Sequence, residues 1–264
     1  MGICENGGLK MKVVSFHLKG KMAHFRKYYS NSSALSYFVP PRTTLCGILA
    51  GLLGWERDMY YEAFTLNKCK IAIASCRPIK KTVQKMNYLM IKSLNDLNGS
   101  QEYHSQTPVE LVIPQNIRND YIDYKVWIYH TEDSIMNKIE GIFTVSRGNY
   151  YLSFGTSVAL GSAFNVGWID EVEVLRGEEI NKLSEEKIYS AIPLEKIKEI
   201  EVNKMLEGDY KILKEELPLE FNNKREITLN GLKDVLVNIN SDSIPAYVNS
   251  FVKLEDGESI TWLE

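Results

Sequence analysis

FRKYYSNSSALSYFVPPRTTLCGILAGLLGWERDMYYEAF, residues 25–64, joins a basic, aromatic cluster to a polar loop, a diproline stop and an apolar helix. Pro40-Pro41 forces extended backbone and bars a helix before it. Thr43 or Thr44 can cap the helix that follows. Leu45, Ile48, Leu49, Leu52 and Leu53 recur at helical spacing and give it one apolar face. Gly47, Gly51 and Gly54 are poor helix formers; they imply close packing against a sheet, with Gly54 near the C-terminal stop. The amides of Thr43, Thr44 and Leu45, with Arg42 beside them, offer a seat for a phosphate.

Upstream, residues 12–19 (KVVSFHLK) alternate, with Val14, Phe16 and Leu18 on one side and Ser15, His17 and Lys19 on the other, which predicts a half-buried strand. Gly20 ends it and a basic loop follows, in which Lys21, His24, Arg26 and Lys27 interleave with Phe25, Tyr28 and Tyr29. Cations neutralise phosphates while rings stack on unpaired bases, the combination that single-stranded nucleic acid requires. The same spacing also fits a solvated loop whose rings tuck into the core.

Downstream, Lys70 to Ala74 reads as a second strand, and Arg77, Lys80, Lys81 and Lys85 extend a positive strip beyond it. Residues 86–120 read as an inserted hairpin or thumb, with NDLNGSQ (95–101) at the tip and TPVELVIP (107–114) returning. Tyr121 to His130 is a further strand. Ser134 can cap a helix through Ser146 with Ile135, Ile139, Ile142 and Phe143 on one face. A loop bearing Gly155 and Gly161 then leads into the strand VGWIDEVEVL (166–175). Strand, helix, strand, strand, helix, strand is the ferredoxin-like order, so the fold expected is α+β, with a ferredoxin-like core over 10–176. Residues 177–264 read as an added, mainly antiparallel β layer.

The 264 residues carry a net charge of only −3, but unevenly: residues 1–92 hold 15 Lys+Arg against 4 Asp+Glu, and the remainder is acidic. Such asymmetry fits a polyanion-facing part and a protein-facing part, or two halves that neutralise each other. Cys4, Cys46, Cys69 and Cys76 form no CxxC pair, and His17, His24, His104 and His130 show no ligand spacing, so neither metal nor cofactor is expected. No apolar run reaches membrane-spanning length, and MGICENGGLKMK has no signal-peptide core, which makes the cytoplasm the expected location.

The segment GKMAHFRKYY through YYEAF (20–64) closely resembles the N-terminal signature of the fifth-numbered CRISPR-associated (Cas) protein family, and within it the type I-B branch. RPIKK (77–81), TPVELVIP and LPLEFNNKREI (217–227) continue the resemblance. FGTSVALGS (154–162) is a loose version of the family's glycine-containing loop. The resemblance implies an RNA-recognition-motif-like fold of the repeat-associated superfamily, with a thumb and a C-terminal sheet. It implies a non-catalytic subunit of the Cascade surveillance complex that holds the 5′ handle of the crRNA, caps the backbone subunits and adjoins the large subunit. Target DNA would be met only indirectly, because guide pairing reads its sequence. Lys21, His24, Phe25, Arg26, Lys27, Tyr28, Tyr29, Arg42, Thr43 and Thr44 are the RNA-contacting candidates. The alternative is a metal-independent endoribonuclease cutting repeat RNA, with His24 as base and Lys21 or Tyr28 assisting.

Overall fold

A computed structural model of the chain describes residues 10–30, 33–88, 94, 105–144, 158–206 and 208–264. The alternating segment at 12–19 is the core of a strand, β1 (Lys10–Gly20), and it is central rather than marginal. Val14, Phe16 and Leu18 face one hydrophobic core, while Met11 and Val13 on the opposite side enter a second. The strand is therefore buried on both faces, not one, because later strands fold over the side that the sequence leaves polar.

After β1 come two short strands, β2 (Phe25–Arg26) and β3 (Ser36–Tyr37), then α1 (Arg42–Leu52) and β4 (Cys69–Ser75). A long hairpin overlaps the expected insertion: β5 (Ile79–Tyr88) and β6 (Ser105–Pro114) pair antiparallel from Ile79 opposite Pro114 to Tyr88 opposite Ser105. It starts several residues earlier than the 86–120 expected. β7 (Ile122–His130), α2 (Asp133–Thr144) and β8 (Gly167–Ile180) follow. The NDLNGSQ tip, Ser146, Gly155, Cys4 and His104 lie outside the described residues.

β8, β1, β7 and β4 are neighbours in that order, and each pair is antiparallel. Both helices cover one face: Leu45, Leu49 and Leu52 of α1 and Ile135, Ile139, Ile142 and Phe143 of α2 share a core with Phe16, Ile71 and Val126. Ser134 does not cap α2, which begins one residue before it.

The chain beyond residue 180 adds β9 (Ser184–Ile188), β10 (Ile192–Pro193), β11 (Ile197–Ile200), a short α3 (Val202–Met205), β12 (Ile212–Pro218), β13 (Leu232–Asn238), β14 (Ile244–Val248), β15 (Phe251–Leu254) and β16 (Ser259–Ile260). β15, β16, β9, β14 and β11 continue outward from β8, making a nine-stranded sheet, while β10, β13 and β12 form a separate three-stranded sheet. Pairing is antiparallel throughout except between β16 and β9. The large sheet curls: Val252, Leu254, Ile260 and Trp262 pack on Met11, Val13 and Trp127. The architecture is a strand-rich α+β fold. Among the described residues no helix is long and apolar enough to cross a membrane.

Candidate nucleic-acid interface

The loop after β1 is held between two structures that the sequence singled out separately. On one side it is stitched to β6: Ala23 and Val112 exchange backbone hydrogen bonds of 3.0 and 2.8 Å, and Ala34 donates to the Pro108 carbonyl. On the other, the His24 amide donates to the Leu160 carbonyl at 3.0 Å. Gly161 has φ +88°, and a Cβ there would overlap the His24 carbonyl oxygen, so the close approach requires glycine. Basic loop, hairpin and glycine-bearing loop thus meet at one place.

Within the loop the candidates separate by orientation. Lys21 and Arg26 are exposed; Lys21 Nζ donates to the Asp120 carbonyl and Arg26 to the Ser30 carbonyl. Tyr28 and Tyr29 are 46% and 51% exposed and pack edge to face, 5.1 Å between centroids. Phe25 is 2% exposed, its ring against Tyr124, so it is a core residue and not a base-stacking surface. His24 is also buried, and its Nδ1 lies 2.7 Å from the Glu110 carbonyl, which removes that nitrogen from the role of a solvent-facing base.

Two glutamates of β12 shape the loop from the far end of the chain. Buried Glu215 pairs with Lys27 at 3.3 Å and Lys81 at 3.7 Å and accepts the Phe38 amide at 2.9 Å. Burial opposes the charge of Lys27, but Glu215 and the contact with Tyr29 outweigh it and raise its pKa. Glu216 accepts the Tyr28 hydroxyl at 3.1 Å; partial burial and that bond raise the tyrosine's pKa. The sequence carried no local signal for these partners, which sit far away in an acidic stretch.

The start of α1 also differs from expectation. Pro41, not a threonine, occupies the cap position, and the Thr44 and Leu45 amides both donate to the Pro41 carbonyl, so they are not free for a phosphate. Thr43 donates its hydroxyl to the Pro218 carbonyl at 3.3 Å. Arg42 is only 1% exposed, and its guanidinium donates to the carbonyls of Leu219, Phe64, Thr65 and Cys69. It is a structural tie, not a phosphate ligand. The stop falls at Gly54 as expected: φ is +72°, with Gly54 donating to Gly51 and Trp55 to Ala50, the Schellman arrangement. Gly47, Gly51 and Gly54 do not face the sheet; they line an open groove of about 1070 Å³ whose wall also includes Tyr28, Trp55 and Tyr61. Apart from the loop, His17, Cys76 and Asp123 form the one group of metal-type donors among the described residues.

Residues 13–116 match the model of a family described as CRISPR-associated protein (Cas_Cas5). No curated protein matches the chain. Among solved structures, a CRISPR protein from Archaeoglobus fulgidus is similar at 12% identity with a TM-score of 0.51, covering 95% of this chain and 98% of that one. A chain described as a CRISPR RNA-guided surveillance complex shares 13% identity, TM-score 0.41, covering 88% of this chain and 91% of its own. A chain of a type III-B Cmr-β complex bound to cognate target RNA and AMPPnP shares 12%, TM-score 0.41, over 89% and 86%. The family match supports a Cas5-type CRISPR protein, and the Archaeoglobus protein shares its fold.

Proposed function

We propose that this chain is a non-catalytic RNA-binding subunit of a type I CRISPR effector complex, of the I-B kind, holding the 5′ handle of the crRNA. The observation that carries this reading is the pair of exposed rings, Tyr28 and Tyr29, flanked by exposed Lys21 and Arg26 within the family-matched segment. The neighbour order β8-β1-β7-β4, with both helices on one face, supports a ferredoxin-like, RNA-recognition-motif-like core, and β5–β6 is suited to act as its thumb. The handle then lies across the loop, rings stacking on unpaired bases, and the groove beside α1 gives an unpaired strand room to continue. Backbone and large subunits of Cascade are the protein partners in this reading, and target DNA is met through the guide.

The test is fluorescence anisotropy with repeat-derived handle RNA across a salt series. Tyr28→Ala and Tyr29→Ala each weaken binding by about 1–3 kcal/mol. Lys21, Arg26, Lys80 and Lys85 carry no ion pair among the described residues, so at most a few phosphates are neutralised. At about −0.7 per phosphate, the log–log salt slope is about −3 or shallower. A slope of zero, or wild-type affinity in both tyrosine variants, removes the loop from the RNA site.

A further inference from the structure

His17 of β1, Asp123 of β7 and Cys76, just past β4, each present one donor atom, and these atoms lie within 4.8 Å of one another. His17 Nδ1 is 2.7 Å from Asp123 Oδ1, and both side chains are largely buried. Asp123 Oδ2 faces Arg77 Nε at 3.8 Å, which leaves Oδ1 for the cluster. The second imidazole nitrogen, Nε2, faces Glu171 Oε2 at 3.7 Å, and Lys19 Nζ holds the other oxygen of that glutamate.

Glu171 reaches this position by unusual means. It has φ +48°, a left-handed conformation rare outside glycine, and it lies where β8 bulges against β1. Bulges re-aim side chains, and backbone strain persists only where the surroundings fix it. Here the bulge aims a carboxylate at the outer nitrogen of an imidazole whose inner nitrogen already meets Asp123.

We propose that His17 Nδ1, Cys76 Sγ and Asp123 Oδ1 bind a divalent metal of the zinc class, with Glu171 as the carboxylate that orients the ligating imidazole. A mixed nitrogen, sulfur and oxygen set suits zinc, whereas calcium and magnesium take oxygen shells. Metal-bound histidines characteristically donate their second N–H to a carboxylate, the position Glu171 holds. Tetrahedral zinc holds its donors roughly 3.2–3.7 Å apart, so the Cys76 side chain rotates inward while the His17 Nδ1–Asp123 Oδ1 pair, 2.7 Å apart, opens by a small shift of the carboxylate. Lys19, Arg77 and Lys125 stand nearby, but Asp120, Asp123, Asp170, Glu171 and Glu258 outnumber them. On binding, the proton that His17 Nδ1 shares with Asp123 is given up and Nε2, facing Glu171, carries the ring proton instead; the Cys76 S–H bond breaks, a metal–sulfur bond forms and the thiol proton leaves to solvent, with no change in oxidation state. A fourth position stays open to water. The metal joins β1, β7 and the connection from β4 to β5, and so pins the root of the long hairpin to the sheet.

Cobalt reports the site directly. Titrating the metal-free, full-length chain with Co2+ is expected to raise a thiolate-to-cobalt charge-transfer band that saturates at one equivalent and is displaced by Zn2+. Cys76→Ser abolishes that band, and Glu171→Gln, which keeps all three donors, weakens cobalt binding roughly 10- to 100-fold. No band in the wild type, or a band that survives Cys76→Ser, overturns the proposal. If Cys76→Ser fails to fold, by its circular dichroism, Glu171→Gln decides: unchanged cobalt affinity overturns the assignment.

Discussion

Truncating Arg42 to alanine strips donors from the carbonyls of Leu219, Phe64, Thr65 and Cys69. Those carbonyls belong to three separate segments: the chain just after β12, the residues ahead of β4, and β4 itself. The loss is therefore tertiary and not local to α1. A hydrogen bond from a charged donor contributes about 1.5–3 kcal/mol net, and each buried acceptor left bare costs about 1–3 kcal/mol. Contributions within one network do not add, and removing the charge also removes its burial penalty. Both corrections push the sum toward its lower end, about 3–5 kcal/mol. At roughly 2–4 °C per kcal/mol for a chain of this size, the melting temperature falls by about 6–20 °C.

Arg42→Lys recovers less than half of that, because one ammonium cannot span carbonyls that a planar fork reaches on both edges. The assay is thermal and urea denaturation followed by circular dichroism, paired with RNA anisotropy well below the melting transition. Both variants bind RNA as the wild type does while folded. A melting temperature unchanged within about 2 °C, together with a tenfold loss of RNA affinity, would refute the reasoning and return Arg42 to the phosphate site.

Phe25→Ala acts the same way: losing a buried ring costs about 3–5 kcal/mol of stability, read in urea, and an RNA defect without a stability loss contradicts its core assignment. Gly161→Ala forces a Cβ onto the His24 carbonyl at positive φ, so it lowers both melting temperature and handle affinity; an unchanged protein would mean that the two loops do not hold one another. Glu264 accepts from Lys196 at 2.6 Å and pairs with Lys70 at 3.2 Å. Burial opposes its charge, but both ammonium groups outweigh it and hold its pKa below the usual 4.5. A depressed folded-state pKa stabilises above the unfolded value and is lost as pH falls through the folded one. The melting-temperature gap between wild type and Glu264→Gln is therefore present near neutrality and closes once the pH drops well below 4.5; a gap independent of pH refutes the pairing.

Local pattern carried much of this fold. β1, β4 and β7 alternate or run apolar within a single window, and the apolar faces of α1 and α2 repeat at helical spacing. What a window cannot contain is the partner. Phe25 and Tyr28 look alike in a basic, aromatic loop, yet Tyr124 covers one and solvent meets the other. Arg42 and Arg26 look alike until Leu219 arrives from the far end of the chain. The polar side of β1 is buried because β15 and the segment around Trp262 fold over it, and Met11 and Val13 were its only local trace. His17, Cys76 and Asp123 lie on or beside three different strands, so no ligand spacing exists to be read.

The charge segregation shows how local and tertiary information combine. Of the cations before residue 93, Lys12, Lys19, Lys27, Lys68, Lys70, Arg77 and Lys81 all pair with carboxylates beyond it. Much of the contrast between the halves is therefore consumed inside the molecule, and the positive strip that the sequence displays is wider than the one the surface presents. Glu215 and Glu216 do more than cancel charge. By fixing Lys27, Lys81 and the Tyr28 hydroxyl, they set the loop so that the two tyrosine rings stand outward without relying on RNA to order them. An interface built this way draws its affinity from pre-set stacking surfaces, with only a few phosphate contacts to position the strand. In the proposed reading, the acidic half of the chain thereby contributes to RNA binding without touching RNA.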